Sequence, residues 1–131
     1  MDGIISIALG GAIGAVCRYT AGNLAVKYLG DGLPYGTFII NLAGCFCMGL
    51  LMTLIVDKGL LPPIWRLFLC VGFLGGFTTF SSFGYETLTL LTEGNILMAV
   101  CYAAGSTVLG LLAASVGVFR RMSNVFDICP V

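Results

Sequence analysis

The polar residues of this chain are few, and they sit inside long apolar runs. Arg18 interrupts the first run, Thr37 and Asn41 the second, and Tyr102 and Ser106 the fourth. The third run carries the densest group, GFLGGFTTFSSFGYE over 72–86. There Thr78, Thr79, Ser81 and Ser82 are split only by Phe80, phenylalanines recur at Phe77, Phe80 and Phe83, and Glu86 follows. Guanidinium, carboxamide and hydroxyl groups all donate hydrogen bonds, and the edges of aromatic rings carry partial positive charge. Carboxylates are nearly missing from the apolar runs. Such a set suits contact with a small anion better than with a cation or a proton. No nucleophile, base and orienting group occur together, and the chain has no histidine. It therefore does not read as an enzyme, and His-based metal sites, triads and proton relays are excluded.

The elements that must position these groups are membrane helices. Charged residues make up 9% of the 131 residues and hydrophobic ones 59%, whereas a soluble domain carries roughly 25% charge. Zero net charge leaves no basic patch for nucleic acid. Four segments are expected to span, over about 3–29, 35–56, 66–93 and 96–119, since a span needs about 20 residues. Gly30 to Pro34, Asp57 to Pro63 and Glu93 to Asn95 are the turns between them, marked by glycine and proline. Pro62 and Pro63 keep the second turn from being helical throughout. The fold class is an all-α membrane protein with one four-span domain over 1–121, followed by a tail over 122–131 with no expected fold. The third helix is expected to be broken. Glycine and hydroxyl runs weaken a helix, and broken backbone at bilayer depth survives only where protein or a water-filled path satisfies it.

Several residues keep more than one reading. Gly10, Gly14, Arg18 and Gly22 share one helix face, a pattern that lets helices approach closely. Within it Arg18 either snorkels to the interface near Lys27 and Asp31 or faces protein or water and attracts an anion. A charge this deep costs at least about 2.5–3.5 kcal/mol. Asn41, on one face with Thr37 and with Cys45 following, is either interhelical glue or the lining of a polar path. Glu86 is an interfacial carboxylate, a partner for a buried polar group, or a proton site. Tyr102, Ser106 and Gly110 form a narrow stripe on the fourth helix. The six cysteines contain no CxxC pair; five lie in apolar runs and Cys129 in the tail, so they read as small fillers rather than disulfides.

Asp2, and the lack of a basic residue before the first apolar run, argue against a cleavable signal. With four spans, Lys58, Arg66, Arg120 and Arg121 fall on the side of the termini and Lys27 on the other. That bias favours cytoplasmic termini, although its small size leaves insertion in both orientations open. Two rival readings are a small four-span drug/proton antiporter and an accessory subunit without its own pore. The first requires an embedded acid where this chain has Arg18, and the polar break argues against the second.

Three stretches, GGAIGAVCRY over 10–19, YGTFIINLAG over 35–44 and GFLGGFTTFSSF over 72–83, resemble the Fluc (CrcB) family of fluoride channels. The resemblance covers nearly the whole chain apart from the tail. It implies a fluoride-selective channel in the cell's inner (plasma) membrane that exports fluoride passively. It implies an antiparallel, dual-topology homodimer with two pores, or else pairing with a homologue of opposite orientation. It also implies a structural sodium ion held by carbonyls corresponding to Gly75 and Thr78. The implied fluoride path includes Phe80, Phe83, Asn41, a vestibule Arg18, Tyr102 and Ser106. Thr37, Thr79, Ser82 and Glu86 extend it. The family's fourth-helix track often continues with serine where this chain has Gly110.

Overall fold

A computed structural model of the chain describes residues 2–118. Among them no strand forms, and four helical passes of 28, 23, 30 and 22 residues are long and apolar enough to cross a membrane. Helix α1 is Asp2–Leu29, with Asp2 and Lys27 complementing its dipole at the two ends. It stops at Gly30, whose φ of +82° is the left-handed conformation of a helix C-terminus. Helix α2 is Tyr35–Asp57, and its last turn, Thr53–Asp57, widens to π-type hydrogen bonding.

The third pass consists of two helices. Helix α3 (63–77) is α-helical at Pro63–Trp65 and Gly75–Phe77, with a π-helical Arg66–Leu74 between them. It begins three residues before the expected Arg66, because proline at the first helical position lacks only an N–H that would be unpaired anyway. Helix α4 is Phe80–Thr92. The expected interruption is confined to two extended residues, Thr78 (φ −80°, ψ 161°) and Thr79 (φ −151°, ψ 118°). The helix resumes through Ser81 and Ser82 because the Thr79 hydroxyl caps it, accepting from the Ser82 N–H at 3.2 Å. Helix α5 is Ile96–Gly117. The expected end of the fourth span at Phe119, together with Arg120, Arg121, Cys129 and the tail, lies outside the described residues.

Helix α1 packs along α3 and α2, while α5 packs along α2 and α4. Glycine sets the closest of these contacts. A methyl at Gly14 would overlap the Phe73 carbonyl, and one at Gly76 would come within 2.5 Å of the Gly11 carbonyl. The α1 face read as a packing surface therefore meets the backbone of α3 directly. On the other side, a methyl at Gly117 would lie 2.5 Å from the Phe46 carbonyl, so α5 and α2 also touch through backbone. Large apolar side chains such as Ile4, Leu97 and Leu111 point outward, as they must where the surroundings are hydrocarbon.

Candidate functional site

The break in the third pass is held open by neighbouring helices. From α2, the Asn41 carboxamide reaches Thr79 with both ends. Its Oδ1 accepts the Thr79 N–H at 2.8 Å and its Nδ2 donates to the Thr79 carbonyl at 2.9 Å. The side chain thus supplies what a neighbouring strand would supply to extended backbone. From α1, Arg18 Nη1 donates to the Thr78 carbonyl at 3.2 Å. Arg18 therefore turns inward to protein rather than snorkelling. The Thr78 hydroxyl bonds back to the Leu74 carbonyl at 2.9 Å, and its methyl occupies the space that a side chain at Gly44 would need.

Two cavities meet at Thr79, which lines both. The larger, about 550 Å³, is lined by Arg18, Thr37, Ser82 and Glu86, with Asp31 and Glu93 also on its wall. The smaller, about 320 Å³, is lined by Asn41, Thr78, Phe80, Phe83 and Ser106 together with Cys45. Its wall contains no carboxylate and no basic group. The polar face of α2 connects the two, with Thr37 on the first cavity and Asn41 and Cys45 on the second.

Glu86 is the partner of polar groups on two other helices. Thr37 Oγ1 donates to its Oε1 at 2.6 Å, and the Tyr102 hydroxyl donates to its Oε2 at 2.7 Å. Of the three readings left open for this carboxylate, the geometry carries that of a hydrogen-bond partner. Tyr102 itself lines neither of the two cavities. It lines a separate apolar hollow with Pro34, Phe38 and Met98, and its ring is 5.3 Å from that of Phe83, which in turn lies 5.7 Å from Phe80. Phe80 is 84% exposed on the single chain, whereas Phe83 is only partly so. One hydroxyl in the smaller cavity has nothing to bond: Ser106 Oγ is buried and without a partner.

Gly75 stands apart from both cavities, on the open side of α3, where a Cβ would meet nothing within 4 Å. Asp31 and Glu93 were not singled out from the sequence as cavity residues, because turn acids ordinarily read as solvated. Cys45 was noted only as following Asn41; its four-residue spacing from Asn41 was the available signal.

Comparison with known proteins bears on the family to which the chain belongs. Residues 5–118 match the family described as CrcB-like protein, Camphor Resistance (CrcB). A protein of Chloroflexus aurantiacus named Fluoride-specific ion channel FluC is 54% identical over 118 residues, covering 90% of this chain and 94% of its own. Proteins of the same name from Acidobacterium capsulatum and Thermus thermophilus are each 48% identical. They cover 85% and 89% of this chain, and 89% and 93% of their own lengths. With the family match spanning all four apolar passes and the break in the third, this chain belongs to the CrcB-like family.

Proposed function

We propose that this chain is a fluoride-selective ion channel of the plasma membrane, not an enzyme, and that it lets fluoride leave the cell down its electrochemical gradient. The observation that carries the reading is the smaller cavity. It is lined by hydrogen-bonding side chains and two phenylalanine rings and by no carboxylate. Asn41 uses one N–H on Thr79, and a carboxamide has a second. Ser106 Oγ is unpartnered, and Phe80 and Phe83 stand beside it. A dehydrated small anion needs such contacts, weak enough that it can leave again. Arg18 supplies the positive charge of the larger cavity next door, whose wall also carries Asp31, Glu86 and Glu93. Relatives named as fluoride-specific channels support the choice of fluoride.

The assembly in this reading is an antiparallel homodimer with two pores, its subunits inserted in opposite orientations. The largely exposed ring of Phe80 and the open face at Gly75 are then covered by the second copy. The third-helix break also fits a structural sodium ion. The Thr79 N–H, next in the ladder for the Gly75 carbonyl, goes to Asn41 instead, which releases that carbonyl. The Thr78 carbonyl, bonded once to Arg18, keeps a second lone pair. Carbonyls released at helix breaks hold cations in membrane proteins. Gly75 and Thr78 would hold the ion together with the same carbonyls of the second copy, and the bound ion would supply fixed positive charge between the pores. A second reading, pairing with a homologue of opposite orientation, is favoured by the excess of Lys58, Arg66, Arg120 and Arg121 over Lys27.

The test is fluoride efflux from liposomes holding this protein alone, followed with a fluoride electrode and repeated with chloride. Fast fluoride loss with chloride retained is the expected result. Liposomes that stay fluoride-tight would overturn the homodimeric channel, and co-reconstitution with an oppositely oriented homologue would then separate the paired reading from an accessory subunit.

A further inference from the structure

The polar stripe of α5 loses its side chain one turn after Ser106. Tyr102, Ser106 and Gly110 recur every fourth residue, and Gly110 is buried with no donor to offer. The place a side chain there would take is bordered by a residue of another helix. Cys45 Sγ, from α2, lies 3.4 Å from where a Cβ on Gly110 would stand. Cys45 is one turn beyond Asn41, and it lines the smaller cavity together with Asn41, Ser106, Phe80 and Phe83. A separate observation concerns the same cavity: Ser106, which lines it, has a buried Oγ without a hydrogen-bond partner. A buried hydroxyl left unsatisfied is unfavourable, and an anion arriving in the cavity would satisfy it.

We infer that the Cys45 thiol stands in for the hydroxyl that α5 lacks at position 110 and is the donor that takes an anion onward from Ser106. The inference rests on the channel reading and specifies the end of its path. A thiol is a weak donor to neutral acceptors, and hydrogen bonds strengthen when the acceptor is charged. Weak donation also suits an exit position, where the ion must not be held. Two consequences separate this from Cys45 as mere filler. A methyl group in its place removes the donor, whereas a hydroxyl on either helix restores it. The thiol, free like the other described cysteines, is also open to modification from the cavity.

The experiment is fluoride efflux from liposomes for the unaltered chain, Cys45→Ala, Cys45→Ser and the double variant Cys45→Ala with Gly110→Ser. Cys45→Ala is expected to lower flux roughly three- to tenfold, as for one lost donor, with Cys45→Ser and the double variant within about twofold of the unaltered chain. Methylmercury, a small thiol reagent, is expected to block the unaltered chain and to leave Cys45→Ser conducting. Flux in Cys45→Ala equal to that of the unaltered chain would overturn the inference and leave the channel reading standing. Should Cys45→Ala not assemble, the reagent decides on the other two proteins: no block, or equal block of both, overturns it. An unaltered chain that passes no fluoride defeats the channel reading and this inference together.

Discussion

Asn41 and Thr79 are 38 residues apart in the chain and are joined by two hydrogen bonds, at 2.8 and 2.9 Å, between a carboxamide and both polar groups of one peptide residue. The pairing stabilises an extended residue that has no strand partner. It also fixes which end of the carboxamide faces which way, since only the oxygen can accept the Thr79 N–H. At bilayer depth an unpaired backbone group costs several kcal/mol, so Asn41 sustains the break as well as lining the cavity beside it.

Asn41→Asp keeps the acceptor and turns the donor into a second acceptor facing the Thr79 carbonyl. We expect a loss of about 1–3 kcal/mol in stability, visible as a lower melting temperature in detergent. Fluoride efflux should fall further than folding alone explains, because a carboxylate would then line the cavity proposed to pass the anion. Efflux at the unaltered rate would restrict Asn41 to the first of these two tasks.

Phe80 and Phe83 should separate by where they cause damage. Phe80 is 84% exposed on the single chain, so Phe80→Ile should leave the subunit fold intact. Phe83 contacts both Phe80 and Tyr102, and Phe83→Ile should cost roughly 0.5–1.5 kcal/mol of ring contact. Both should reduce fluoride efflux, with the proposed dimer retained on size exclusion. Full flux in both variants would remove the ring edges from the mechanism.

The Glu86 carboxylate couples Thr37 on α2 to Tyr102 on α5. Thr37→Val and Tyr102→Phe should each cost about 1–3 kcal/mol, by removing one of the two donors to this carboxyl group. A double-mutant cycle on unfolding should show non-additivity of about 0.5 kcal/mol or more, since the two donors share one acceptor. Strict additivity would mean that the two hydrogen bonds act independently.

Glycines of the α1 stripe should differ by register. A methyl at Gly14 overlaps the Phe73 carbonyl, whereas one at Gly22 meets nothing within 4 Å. Gly14→Ala should push α1 from α3 and destabilise by about 1–3 kcal/mol. Gly22→Ala should be neutral or stabilising by up to about 1 kcal/mol, through helix propensity. Thermal unfolding of the two variants side by side reads the difference.

At Gly75 a side chain meets nothing in the single chain, so Gly75→Val should fold as a subunit. In the proposed dimer it crowds the carbonyls assigned to the proposed sodium ion. The expected outcome is a shift from dimer to monomer in detergent and loss of any stabilisation by sodium over a large organic cation. A dimer of unaltered stability would move the sodium site elsewhere.

The four passes, the turns between them and the break in the third were legible in the sequence because each is set locally. Hydropathy over about 20 residues decides a span. Glycine and proline mark a turn through their own backbone restrictions, and a cluster of glycines and hydroxyls weakens the helix that contains it. Membership of a family was readable from short motifs for the same reason. What hydropathy could not give is how each helix is rotated about its axis and which residue of a neighbour it faces. Only the tertiary structure decided that Asn41 spends both ends of its amide on Thr79, and that Arg18 turns inward to Thr78. It likewise paired Glu86 with hydroxyls from two other helices and set Cys45 over the missing side chain of Gly110. Those pairings depend on interhelical distance and register, which the glycine contacts of α1 with α3 and of α2 with α5 fix across the whole bundle rather than within any one segment.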